Sequence, residues 1–163
     1  MIQGISENAG HRIAKNGFGT VATLDPGWYG QGIYFTSRMA YASRYARPAR
    51  DGSLLFMVSV VIPGNVLPIT ETPYTKPPLV NPAGYLGKPC KAGYQSHYTV
   101  VDSSVHSFGL PTEGTSTVTS FDELVVFEPT RCLPLFLVYA KPLNGQWGLP
   151  LLSFFIFFIS FSS

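Results

Sequence analysis

Residues 25–46 read DPGWYGQGIYFTSRMAYASRYA, and the fold depends on how this stretch is parsed. Asp25-Pro26-Gly27 predicts a turn, because proline presets φ and glycine accepts the positive φ that strains other residues. Gly30 and Gly32 bracket a tight corner where backbone or a ligand can come close. Ile33-Tyr34-Phe35 has the β-branched and aromatic character of a short strand. A helix is expected over residues 38–46, with Ser37 as its N-cap and Tyr41 and Tyr45 one turn apart on one face. Turn, corner, strand and helix together bring Tyr34 and Tyr45 to where two rings can approach, with something flat between them.

On the N-terminal side, residues 1–4 look like the end of a strand. Ser6 or Glu7 starts a predicted helix that runs through Lys15 and ends at Gly17 as a left-handed cap. His11 and Arg12 are placed on its solvated face, since a lone histidine without a partner is an ordinary surface residue. On the C-terminal side, residues 47–52 form a turn. Residues 53–62 are a continuous apolar run rich in valine and read as a buried central strand that ends at Pro63-Gly64.

Six prolines fall in residues 65–93, so regular structure is expected to be sparse there. Residues 102–120, rich in Ser, Thr and Gly, read as a second loop. Two further strands are expected at residues 121–128 and 133–139, joined by Pro129-Thr130-Arg131. The domain is expected to span residues 1–140, with residues 141–163 as linker and apolar tail. Residues 149–161 carry five phenylalanines but fall short of the ~20 apolar residues of an unaided bilayer span. Membrane contact by this tail is therefore the lesser reading, beside that of a non-native extension.

The chain's 163 residues suit one domain, and 45% hydrophobic content is enough for a real core. A net charge of +2 from scattered basic residues argues against a strong grip on nucleic acid. Cys90 and Cys132 form no CxxC and have no histidine at metal-ligand spacing, so they read as reduced thiols of an intracellular protein, cytoplasmic or nuclear, with a single disulfide between them as the alternative. No apolar leader is visible in residues 1–19.

Gly30, Gly32 to Phe35 and Tyr45 resemble the second motif of the catalytic domain of the poly(ADP-ribose) polymerase family, the diphtheria-toxin-like ADP-ribosyltransferases. That motif is a glycine-rich corner, a GIYF-type strand and a helix ending in a second tyrosine. Two more blocks follow in the family's order. Gln3-Gly4, counted back from Gly17, falls on the family's His-Gly pair, so Gln3 replaces the histidine. Phe121 to Glu128 and Leu133 to Tyr139 resemble its closing strands, with Glu123 on the family's glutamate. Gly93-Tyr94-Gln95-Ser96 resembles the glycine, aromatic, serine segment that enters a strand beside the site. Where the family has a serine three residues before the second tyrosine this chain has Ala42, with Ser43 beside it.

The resemblance covers residues 3–139 and implies an α+β fold: a split antiparallel β-sheet core with two short helices, binding NAD in the cleft. It also implies that the strands and helices upstream of the His-Gly position are missing, so the chain is expected to be N-terminally incomplete. NAD is the implied substrate, its ADP-ribose passing to a protein or other acceptor with release of nicotinamide, and no metal is needed. A catalytically inactive module that binds NAD or ADP-ribose is the alternative. In this scheme the nicotinamide carboxamide bonds the backbone of Gly4, and Tyr34 and Tyr45 flank the ring. Gln3 reaches the adenosine ribose, Ser96 lies beside the site, and Glu123 accepts from the nicotinamide ribose 2′-OH. Glu123 also faces the positive charge that grows as the glycosidic bond breaks. Of the histidines, His97 is the better site candidate, with a structural or rim role favoured for it.

Overall fold

The computed structural model describes residues 1–19, 27–70, 84–102, 120–142 and 152–158. β1 (Ile2–Ile5) leads into α1 (Glu7–Asn16). Ser6 Oγ accepts from the Ala9 N–H at 3.3 Å, and Gly17, at φ 73°, donates its N–H to the Ile13 carbonyl at 2.8 Å. Both helix ends therefore sit where the capping residues predict. β2 (Ile33–Phe35) and α2 (Met39–Ala42) follow, then β3 (Leu54–Val61), β4 (Val66–Thr70), β5 (Ser96–Asp102), β6 (Ser120–Val126), β7 (Cys132–Pro142) and β8 (Leu152–Phe158).

These strands form two four-stranded sheets, ordered β1-β3-β7-β8 and β2-β6-β5-β4. All pairings are antiparallel except β4 with β5. The sheets meet where Ile2 and Thr36 exchange two backbone hydrogen bonds of 2.8 and 2.9 Å. This is the expected split-sheet α+β architecture with two short helices.

Alternation along the strands sorts the side chains into layers. Ile5, Leu55, Met57 and Leu137 of the first sheet meet Ile13 and Phe18, from α1 and just beyond it, and Ile33, Phe35, Leu124 and Val126 of the second. The opposite face of the first sheet, with Leu54, Phe56, Val138 and Ala140, buries Ala42 of α2. On the far face of the second sheet, Val101, Phe121 and Val125 pack with Tyr29 and Tyr41. The run at residues 53–62 is indeed a central strand, β3, flanked by β1 and β7.

Four features differ from the sequence expectations. Residues 66–70 form a strand although the region is proline-rich: β4 lies at a sheet edge, where Pro68 can lack a ladder donor at little cost. β6 and β7 belong to different sheets, so the short turn at Pro129–Arg131 carries the chain from one to the other.

α2 is only four residues long, and residues 43–45 continue as turns, with the Ala46 N–H on the Ala42 carbonyl at 3.3 Å. Its start is held by Asp122 of β6 rather than by Ser37 as an N-cap. The Ser37 N–H, Ser37 Oγ and Thr36 Oγ1 all donate to Asp122 Oδ1, at 2.9, 2.7 and 3.0 Å.

Lastly, residues 152–158, expected as part of a tail outside the domain, run antiparallel to β7 from Leu152 opposite Pro142 to Phe158 opposite Phe136. The expected linker at 141–147 begins within β7, which runs to Pro142. Its remainder at 143–147, the expected turn at Asp25-Pro26 and the loops over 71–83 and 103–119 lie outside the described residues. Among the described residues no helix is long and apolar enough to cross a membrane.

Candidate active site

The site begins at the edge of β1. Backbone groups of successive strand residues point to opposite edges. Met1 and Ser59 exchange hydrogen bonds of 2.8 and 2.9 Å, so the odd-numbered residues of β1 face β3, whereas Ile2 faces the other edge and bonds Thr36. Gly4, two residues after Ile2, turns its N–H and C=O toward that same edge, where β1 and β2 have already diverged. Were the Ile2–Thr36 pairing continued, Gly4 would stand opposite Tyr34. A pair of backbone polar groups thus borders the split between the sheets.

The end of α2 covers the neighbouring face of Gly4. A Cβ there would lie 2.7 Å from the Ala46 nitrogen and closer still to the Ala42 carbonyl oxygen. Only glycine lets the helix backbone rest on the strand, and this contact fixes where the residues after Ala42 project.

Across the split, strand register puts Glu123 on one face of the second sheet together with Tyr34, Phe121, Val125, His97 and Thr99. The Tyr41 ring stacks on Phe121 with centroids 4.9 Å apart and planes 20° from parallel. Its hydroxyl donates to Glu123 Oε1 and accepts from the Tyr45 hydroxyl at 3.0 Å. The Tyr41 and Tyr45 rings meet edge to face at 5.4 Å, and the Arg44 guanidinium lies 5.0 Å from the Phe121 ring centre.

Glu123 and Tyr41 are 7% and 2% exposed and Tyr45 is 56% exposed, so a line of hydroxyls runs from a buried carboxylate to the surface. Burial first, and the Glu123 charge second, push the Tyr41 phenol well above its ordinary range. It therefore stays protonated and remains a donor.

Tyr34 shares this face, one diagonal step from Glu123. Its hydroxyl donates to the Gly30 carbonyl and accepts from the Tyr29 N–H, both at 2.8 Å. Gly27, at φ 57°, adopts a backbone that glycine favours, and a Cβ on it would strike the Tyr34 ring at 2.7 Å. The tyrosine of the GIYF strand thus buttresses the corner that precedes it. The ring of Tyr45 meets that of Tyr41, its neighbour one turn away on the same face, as their spacing in the sequence suggests.

Gln3 occupies the face of β1 that carries Ile5, opposite Met57 and away from α2. Its Oε1 is buried and has no partner among the described residues. Ser96 is fully buried on the face of β5 opposite to that of Thr99 and His97, and is paired with Val126. It lies three residues along from Thr99, the partner of Glu123, or roughly 10 Å. The structure does not bring Ser96 to the Glu123 face: the local pattern located the strand, and strand alternation turned the hydroxyl the other way. Ser43 Oγ donates to the Ala40 carbonyl at 2.9 Å on the exposed side of the helix.

His97 is fully buried and acts as a clamp. Nδ1–H donates to the Tyr29 carbonyl at 2.7 Å and Nε2 accepts from the Lys91 N–H at 3.2 Å, which assigns a neutral ring with the proton on Nδ1. Burial, the largest influence, lowers its pKa from 6.5. Cys90 lies 3.8 Å from Nε2 with its thiol pKa raised by burial. His11 is exposed on α1, 3.2 Å from the Tyr139 hydroxyl. Among the described residues no three His, Cys, Asp or Glu side chains gather as a metal group.

Sequence reasoning missed the two residues that tie α2 to β6, Tyr41 and Asp122. For Tyr41 the available signal was its one-turn spacing from Tyr45, while its contact with Glu123 spans 82 positions. For Asp122 the signal was a carboxylate adjacent to the candidate glutamate on a strand, where neighbours must face opposite ways.

A family model for the poly(ADP-ribose) polymerase catalytic domain matches residues 3–141. Among curated proteins the chain finds no significant match. The matched segment takes in most of β1, both helices, Glu123 and most of β7, and on that match the chain belongs to the poly(ADP-ribose) polymerase catalytic-domain family.

Proposed function

We propose that the chain transfers ADP-ribose from NAD to a protein or other acceptor, with release of nicotinamide, at the split between the two sheets. The observation that carries this reading is the placement of Glu123: a nearly buried carboxylate beside Tyr41 of α2, across the split from Gly4. Family membership supplies the reaction class.

The residues suit NAD in four respects. The Gly4 N–H and C=O can pair with a planar carboxamide, which needs one acceptor and one donor. The exposed ring of Tyr45 offers a face for nicotinamide to stack on, and Tyr34 closes the corner opposite. Glu123 can accept from the ribose 2′-OH. The buried Oε1 of Gln3, without a partner among the described residues, can accept a hydrogen bond from a hydroxyl of the second ribose, in addition to the donor role its amide N–H permits.

In the reaction, the bond between the ribose C1′ and the nicotinamide nitrogen breaks, and its electron pair leaves with neutral nicotinamide. The acceptor's lone pair forms the new bond to C1′, and the acceptor proton passes to solvent. Positive charge on the sugar is greatest between these events. A fixed carboxylate stabilises that state more than the ground state, which is the condition for accelerating the step. Because Glu123 is largely shielded from water, its field on the sugar is less damped than that of a surface glutamate.

A second reading, an NAD- or ADP-ribose-binding module without turnover, draws on Gln3. Glutamine has more rotatable bonds to order than an imidazole and presents its donor less rigidly. Nicotinamide release from NAD, measured with and without protein acceptor and alongside a direct NAD titration, separates the two. Release with transfer to acceptor supports the transferase, binding without release supports the module, and the absence of both at millimolar NAD overturns both.

A further inference from the structure

We propose that Tyr41 is a positioning residue for Glu123: its hydroxyl fixes the carboxylate in one orientation and, through Tyr45, couples that orientation to the ring on which a planar group would stack. This deepens the transferase reading and rests on it.

Three observations carry the inference. First, a glutamate side chain has three rotatable bonds to order, and directing it at a sugar requires a partner that is itself rigid. Tyr41 is such a partner, being 2% exposed, stacked on Phe121 two residues from Glu123 on the same strand face, and carried by a helix seated on Gly4. Second, the hydrogen bonds run in one direction, from Tyr45 to Tyr41 and from Tyr41 to Glu123 Oε1. A hydroxyl that accepts one bond becomes a better donor in the next, so Tyr45 strengthens the hold on the carboxylate. Third, Tyr45 is 56% exposed while Glu123 is nearly buried, so the surface ring and the buried charge are linked through one intervening residue. A group stacking on Tyr45 would favour one position of its hydroxyl and, through it, one position of Glu123.

Among the described residues, the titratable and charged groups facing Glu123 include Tyr41, Arg44 and Tyr45 from α2 and the turn after it, Tyr34 from β2 and His97 from β5. Tyr41 bonds the carboxylate directly and stays neutral across the working range, so its removal acts through the lost hydrogen bond rather than through a changed charge. A bond donated to a carboxylate favours the ionised form, and its loss moves the carboxylate's titration to higher pH.

The test uses Tyr41→Phe, which keeps the ring on Phe121 and removes the hydroxyl. Tyr45→Phe serves as the second variant because it lies at an exposed position. Nicotinamide release gives kcat and KM for NAD across pH, and the Glu123 side-chain carbon resonance, assigned by its loss in Glu123→Gln, gives the carboxylate titration without reference to activity. The expected result for Tyr41→Phe is kcat lower by about tenfold or more, with KM for NAD within about twofold of the parent. The acidic limb of the rate profile and the Glu123 titration should both move to higher pH, and Tyr45→Phe should produce a smaller change in the same direction.

A purely packing role for Tyr41 would leave the titration in place, and that outcome in both variants overturns the proposal. If the parent releases no nicotinamide, the transferase reading fails by itself. The titration then still decides whether Tyr41 holds Glu123: an upward shift in Tyr41→Phe sustains that part, and no shift overturns it.

Discussion

Replacing Gly4 with alanine should uncouple α2 from the first sheet. The added Cβ would lie 2.7 Å from the Ala46 nitrogen, with the Ala42 carbonyl nearer still, and both are backbone atoms that no rotamer change can move. Reaching the 3.4 Å at which ordinary contact begins requires the end of the helix to retreat by at least 0.7 Å. A retreat of that size strains the 3.0 Å bond from Tyr45 to Tyr41 and lifts Ala42 from Phe56 and Val138.

Overpacking of this kind costs roughly 1–3 kcal/mol. For a chain of this size each kcal/mol lowers Tm by about 2–4 °C, so a fall of about 2–12 °C is expected in thermal unfolding. Gly10→Ala is the matched control. Its Cβ would meet Ile5 Cδ1 and Leu137 Cδ1, each at 2.9 Å, but these are side-chain ends that can turn aside. Alanine is also the better helix former by roughly 0.5–1 kcal/mol, so this variant should unfold near the parent temperature. Equal Tm values for Gly4→Ala and Gly10→Ala would refute the claim that α2 rests on the Gly4 backbone.

Two further outcomes follow from the fold. His97 is held neutral with its pKa below 6.5, so as pH falls through 6.5 the unfolded chain takes up a proton that the folded chain resists. Stability is then full above that pH and declines below it, and His97→Gln should flatten this acid-side slope of Tm; a variant with the parent's slope would show that other groups set it. Ending the chain at Pro142 removes the β8 partner of β7 and leaves a new unpaired edge, so the shortened protein should unfold at lower temperature and self-associate in sedimentation, whereas an unchanged Tm with a monomeric profile would show that β8 adds nothing.

Local chemistry made part of this legible in the sequence. Ser6 and Gly17 marked both ends of α1, and Ile33-Tyr34-Phe35 marked β2, because caps and β-branched runs act over a few residues. The resemblance then supplied the split sheet, which no local pattern encodes.

What stayed hidden depends on partners distant in the chain. β4 exists because β5 offers it a parallel edge, and its proline content pointed the other way. Residues 152–158 resembled an appendage because an edge strand is defined by what it pairs with. At the site, Glu123 could be found because it falls on the glutamate of the resembled closing strands, but Tyr41 and Asp122 gain their roles only when β6 is laid beside α2. Ser96 illustrates the converse: a residue can match a local pattern while strand alternation buries it on the other face.

The most direct test of the central claim is nicotinamide release from NAD by the parent chain and by Glu123→Gln, which preserves shape and removes the charge. Losing one electrostatic stabiliser of the transition state should lower kcat by about 10²-fold or more while NAD affinity changes little. Parent and variant releasing nicotinamide at the same rate would contradict the account, because Glu123 would then be a buried strand residue with no part in the chemistry.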